Sequence, residues 1–149
     1  MQLFTQTGDL GPSWFHIALR TLVLLSHSES LLKSHTIADI LGADPTFVRK
    51  ILKRLEKEGI VKAQGGRYGG YSMNKNPKDI SVGDVYRMLT KDNTINIFTV
   101  KQTGTEAFIS MIISKAENKF KSILDEYTIS DIEKYISPSI SSSYMLSIK

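Results

Sequence analysis

Seven residues between positions 46 and 57 bring charge, hydrogen-bonding and stacking chemistry together: Thr46, Phe47, Arg49, Lys50, Lys53, Arg54 and Lys57. Interleaved with them are Val48, Ile51, Leu52 and Leu55, spaced three or four apart. On a helix the apolar set shares one face. Thr46, Arg49, Lys50, Lys53 and Lys57 then fall on the other, with Arg54 near its edge. A helix built this way is gripped by its fold on one side and offers cations on the other. Arginine can hold the O6 and N7 atoms of guanine with two hydrogen bonds. Lysines one or two turns further along suit phosphates, where each adds affinity that salt weakens. Thr46 has a methyl and a hydroxyl for a base edge. Phe47 can lie on thymine methyls and sugars, or pack beneath its own helix. Taken alone, this helix reads equally well as a solvated amphipathic surface.

A second cluster follows at once. Gly65-Gly66-Arg67-Tyr68-Gly69-Gly70 sits between two short β-prone runs, Ile60 to Gln64 and Tyr71 to Met73. That pattern predicts a hairpin with Arg67 and Tyr68 at its tip. Glycines let such a loop approach another surface closely. An arginine carried on a thin hairpin suits a minor groove, where negative potential concentrates. A nucleotide phosphate loop is poorly matched, because no Gly-Lys-Ser/Thr follows and no helix opens directly after the glycines. A glycine-rich loop by itself is weak evidence. Beside a basic helix it becomes much stronger.

Catalytic and metal chemistry finds little support. The three histidines, His16, His27 and His35, show no i,i+4 ligand spacing and no HExxH pattern. His27 and His35 read as surface residues, and His16 as a neighbour of a packed helix face. No cysteine is present, which excludes disulfides, thiol nucleophiles and thiolate-ligated zinc or iron–sulfur clusters. Neither a catalytic nor a metal-ligating residue is nominated.

The elements that must position these residues can be read outward from them. Asp44 followed by Pro45 is a helix start, and Gly59 a helix stop. A shorter helix precedes it, with Ser34 as cap, Ile37, Ala38, Ile40 and Leu41 as its apolar residues, and Gly42 at its end. Two helices joined around a glycine make a helix-turn-helix. An apolar helix of about residues 13–26 lies upstream, and Trp14 and Phe15 belong to its core or to a dimer interface. Ser81 and Asp84 resemble a capping box for a helix through Val85, Tyr86, Met88 and Leu89, imperfect because aspartate is shorter than the usual glutamate.

Beyond a polar stretch at 91–103, a long helix of about 105–126 carries an apolar stripe of Phe108, Met111, Ile112, Ala116, Phe120, Ile123 and Tyr127. Ile109 and Ile113 widen it. The same helix of a second copy is the simplest cover for that stripe. The reading is therefore mostly α with a small β wing: a winged helix-turn-helix domain (1–90), a linker (91–103), a dimerisation helix with a short following helix (104–136), and a flexible tail (137–149).

Charge supports the placement. Residues 46–91 hold eleven Lys/Arg against four acids, whereas the flanking segments are each slightly acidic, so one segment accounts for the net +4. A polyanion is its natural partner, and double-stranded DNA fits both the helix and the hairpin. No apolar run reaches the ~20 residues that span a bilayer, and the N-terminus lacks the pattern of a secretory signal. A cytoplasmic protein without a membrane partner is expected.

The segment from about Ser13 to Leu89 resembles the Rrf2 family of bacterial winged-helix regulators. The resemblance is carried by Ile37-Ala38, the run Phe47 to Leu55, Gly59-Ile60-Val61, Gly66-Arg67, Gly69-Gly70-Tyr71 and Ile80 to Tyr86. The long helix and Ile129-Ser130-Asp131-Ile132 look like the family's C-terminal part. The resemblance implies a homodimer whose long helices cross, two winged domains on a pseudo-palindromic operator, and repression more often than activation. Carried over by position, recognition contacts fall on Thr46, Phe47, Arg49 and Lys50, and the wing contact on Arg67; Lys53 and Arg54 suit phosphates by their place further along the helix, and Tyr68 shares the wing tip. Tyr68 stands where the family commonly has glycine. Cluster-binding members place three cysteines before the long helix; here there are none, so the chain resembles the cluster-free branch, with no cofactor and an effector that the family name does not reveal. A winged-helix module that binds protein rather than DNA is the alternative, and an enzyme is the weakest reading.

Overall fold

The computed structural model describes residues 13–91 and 104–135. The expected linker, apart from Lys91, and the expected tail lie outside the described residues, as does Ile136.

Helix α1 (Ser13–His27) runs through the centre of the winged domain. Its Ala18, Thr21 and Leu22 are fully buried, as its dense apolar spacing requires. His27 is the last residue of this helix, one beyond its expected end, and its Nε2 is 3.6 Å from Glu133 Oε1.

Helix α2 (Ser34–Leu41) starts one residue earlier than its capping chemistry suggested. Lys33 occupies the N-cap with no side-chain cap bond, and Ser34 is already helical. Burial of Ile37, Ala38 and Leu41 holds the helix in place of a cap. Gly42 ends it in the left-handed region (φ 66°).

Helix α3 (Pro45–Lys57) follows after three residues and packs on α2. Asp44 Oδ1 accepts from Phe47 N at 2.9 Å, and Pro45 sits where no amide donor is needed. At the far end Gly59 adopts φ 76°, which lets Ile60 N reach Leu55 O at 2.9 Å.

Strands β1 (Val61–Gln64) and β2 (Gly70–Met73) pair antiparallel, with Val61 opposite Met73 and Gln64 opposite Gly70. A third segment joins them. Tyr71 N donates to Leu32 O at 2.7 Å and Leu32 N to Tyr71 O at 3.1 Å, so the loop before α2 forms the outer edge of the wing sheet.

A short 3-10 turn (Pro77–Asp79) leads to α4 (Val82–Thr90). Its capping box is complete: Ser81 N donates to Asp84 Oδ2 at 3.0 Å, and Asp84 N to Ser81 Oγ at 2.9 Å. Aspartate proves long enough.

The long helix α5 (Gly104–Asp125) is followed by α6 (Ile129–Glu133), itself opened by a capping box of Thr128 and Asp131. Ser81 and Thr128 form a β-bridge, Val82 N donates to Tyr127 O at 2.8 Å, and Ile129 N to Ile80 O at 2.9 Å. Ile129 is fully buried and joins the core made by Leu22, Ile37, Val48, Leu52, Leu55 and Val85. Each such side chain contributes about 1.5–3 kcal/mol on burial.

Candidate nucleic-acid interface

The two faces of α3 separate cleanly. Val48, Leu52 and Leu55 have no exposed surface and Ile51 is buried beside them. Thr46, Arg49, Lys50, Lys53 and Lys57 are all exposed, while Phe47 and Arg54 are half-buried at the helix edges. Phe47 packs against the core through part of its ring and leaves the rest open at the helix edge, which is compatible with both of its sequence readings. Arg49 Nε donates to Pro45 O at 3.2 Å, so the guanidinium is steadied along the first turn of its own helix.

The wing is built by steric necessity. A Cβ on Gly69 would collide with the carbonyl oxygen of Gln64, and one on Gly70 would come within 2.8 Å of the Leu32 carbonyl. Only glycine lets the returning strand pass this close to its neighbours. Gly69 N donates to Gly66 O at 3.1 Å and closes the tip. There the Arg67 guanidinium lies 5.6 Å from the centroid of the Tyr68 ring, which is 83% exposed. At an exposed site this cation–π contact is worth about 0.5–1 kcal/mol, enough to bias the arginine's direction without fixing it.

Sequence reasoning missed Lys33. Its Nζ donates to the carbonyl oxygen of Arg67 at 2.8 Å, across 34 positions, and so fastens the wing tip to the start of α2. No spacing pattern announces such a contact.

Along α5, every residue from Gly104 to Lys119 is exposed, including Phe108, Met111, Ile112 and Ala116. Ile123 and Tyr127 are also exposed, at 45% and 53%. Phe120, expected on the same stripe, instead meets Tyr86 edge-on at 5.1 Å within its own chain. Tyr86 also contacts Phe15 (5.4 Å) and Trp14 (6.4 Å), so the four rings cement α1, α4 and α5. Burial, with the Glu117 carboxylate adding to it, pushes the Tyr86 phenol above its ordinary value.

Residues 13–134 match the model of the Rrf2 family, described as an iron-dependent transcriptional regulator. The helix-turn-helix-type transcriptional regulator NsrR of Bacillus licheniformis is 29% identical over 122 residues, covering 77% of this chain and 85% of that protein. Two solved structures share the fold. One is IscR of T. potens (TM-score 0.67, 22% identity, 90% of this chain and 93% of that one). The other is CymR, the global cysteine regulator of B. subtilis (TM-score 0.67, 23% identity, 85% of this chain and 97% of that one).

The donors of this chain do not fit an iron–sulfur cluster. It has no thiolate to offer, and among the described residues no three His, Asp or Glu side chains converge on a common point. Among the described residues, too, no helix is long and apolar enough to cross a membrane. What remains is a helix-turn-helix with a clamped wing, matched over most of its length by one family model: the chain belongs to the Rrf2 family and is a winged helix-turn-helix, DNA-binding transcriptional regulator.

Proposed function

We propose that the chain acts as a homodimer that reads a pseudo-palindromic operator and represses transcription from it. Helix α3 enters the major groove, with Thr46, Arg49 and Lys50 at the base edges and Lys53, Arg54 and Lys57 along the phosphates. Arg67 reaches the neighbouring minor groove from the wing, with Tyr68 beside it. The observation that carries this reading is the division of α3, whose Val48, Ile51, Leu52 and Leu55 are buried while Thr46, Arg49, Lys50, Lys53 and Lys57 are exposed. Lys33 supports it by holding Arg67 at a set position relative to that helix.

The apolar stripe of α5 supports pairing. Two copies laid across each other would cover Phe108, Met111 and Ile112, side chains that are otherwise half exposed or nearly so. Two-fold symmetry then presents two recognition helices to successive major grooves, about 34–36 Å apart. A dimer seated on promoter DNA excludes polymerase, which makes repression the expected outcome. The chain works as a regulator and not as an enzyme.

Selection of bound duplexes from a random library tests the proposal. An enriched inverted repeat, with half-site centres one helical turn apart and affinity falling steeply with salt, is expected. Recovery of no sequence preference from the full-length protein would reject it.

A further inference from the structure

Among the described residues, packing leaves the flank of α3 that faces α1 and α4 open. An open groove of about 780 Å³ runs between them. Its apolar wall is made by Trp14, Phe47, Ile51 and Leu89. Its charged wall is made by Lys50, Lys53, Lys57 and Arg54, and among the described residues that line it Glu56 is the one carboxylate. The volume is enough to seat a small molecule, for which about 300–1,000 Å³ is usual, with one side of it left open to solvent. Of the four-ring cluster around Tyr86 only Trp14 lines the groove, so the groove is a separate feature.

From this juxtaposition we infer that the groove binds an organic monoanion with an apolar body, such as an aryl or branched alkyl carboxylate, and that occupancy releases DNA. Both walls are needed to name the ligand. An inorganic anion would satisfy the lysines and leave the indole, the phenyl ring and the leucine uncovered. A neutral apolar molecule would bring an uncharged surface against three ammonium groups and gain nothing from them. A carboxylate at one end of a ring or branched chain uses both. The long lysine stems add to the apolar lining while their ammonium groups stay at its rim.

The regulatory half of the inference rests on the proposed DNA reading. Lys50 and Lys53 line the groove and also belong to the basic face of α3, so ligand and duplex compete for the same charges. A bound carboxylate would also place a negative charge against the recognition helix, next to where phosphates must approach.

The experiment uses the only tryptophan in the chain, Trp14, as a reporter inside the groove. Full-length protein is titrated with 4-phenylbutyrate, with neutral 4-phenylbutanol, and with acetate and inorganic phosphate, and Trp14 emission is followed. A saturable change with phenylbutyrate is expected, at least ~10-fold weaker with the alcohol and absent with the two small anions. Lys50→Glu plus Lys53→Glu, both on the exposed face and checked for folding by circular dichroism, should weaken phenylbutyrate by ~10-fold or more. Phe47→Leu keeps the wall apolar and should keep saturable binding.

No saturable change would overturn the site. So would equal responses to phenylbutanol or to phosphate, or an unchanged titration in the double variant. A second arm repeats the titration with a fluorescent duplex at low salt. Saturating phenylbutyrate should weaken DNA binding by ~10-fold and matched acetate should not; unchanged DNA affinity would overturn the coupling. Failure to bind DNA without ligand would count against the DNA reading alone, because the first arm contains no DNA.

Discussion

Arg87 on α4 and Asp125, the last residue of α5, form a two-pronged ion pair, with Nη1 to Oδ1 at 2.7 Å and Nη2 to Oδ2 at 2.5 Å. The Arg87 guanidinium holds the Asp125 carboxyl below its ordinary value, with Ser81 Oγ adding a weaker bond at 3.4 Å. Gly83 makes the approach possible, because a Cβ there would land on the Asp125 carboxylate. A depressed carboxyl stabilises the fold above its ordinary pKa, and that stability is lost as pH falls through the depressed value. Asp125→Asn should therefore lower Tm near neutral pH, and its difference from wild type should fade as the pH falls below the ordinary carboxylate range. Gly83→Ala should destabilise the wild type but be close to neutral in an Asp125→Ala background, a non-additivity that a double-mutant cycle reads directly.

The wing offers a second test. Gly70→Ala forces a methyl group towards the Leu32 carbonyl and should cost about 1–3 kcal/mol of stability, as overpacked sites do. Lys33→Ala should leave thermal stability almost unchanged, since its bond to Arg67 O is exposed. It should nonetheless weaken DNA binding several-fold by freeing the tip. Equal DNA affinity in Lys33→Ala and wild type would show that the clamp has no role in binding.

In the proposed complex, base reading and phosphate contact separate along α3. Arg49→Ala or Lys50→Ala should cost about 1–3 kcal/mol at the preferred sequence and relax the preference at one position of each half-site. Lys57→Ala, a turn or two further on, should weaken all sequences alike and reduce the slope of log affinity against log salt by about one. Fluorescence anisotropy on matched and mismatched duplexes distinguishes the two patterns.

Ile112→Asp should convert the proposed dimer to monomer without unfolding the winged domain, because Ile112 is 50% exposed and has no role in the core. Sedimentation velocity at micromolar concentration provides the measurement. A dimer that persists in this variant would move the interface off α5.

Much of this architecture is legible in the sequence because its signals are local. Asp44-Pro45 and Gly59 mark α3 within a residue, and the glycines at 65, 66, 69 and 70 mark the wing. Val48, Ile51, Leu52 and Leu55 announce which side of α3 is buried. The parts that were missed depend on distant neighbours. Leu32 becomes a sheet edge only because Tyr71 lies beside it, Phe120 turns inward only because Tyr86 offers a ring face, and Lys33 finds Arg67 across the fold. The start of α2 was misread for a different reason. Ser34 has good capping chemistry, but tertiary burial of Ile37 and Ala38 draws the helix one residue further back.

The chain's return from α5 into the winged domain has a mechanical meaning. Ile129 is sunk in the core, Thr128 is stitched to Ser81, and Arg87 grips Asp125, so the long helix is clamped at its C-terminal end. Its other sixteen residues, Gly104 to Lys119, are all exposed. At ~1.5 Å per residue that exposed span is a rod of about 24 Å. In the proposed dimer such a rod would act as a lever: a few degrees of rotation where two copies cross would be delivered, through the clamped end at Asp125, as a change in the distance between the two α3 helices.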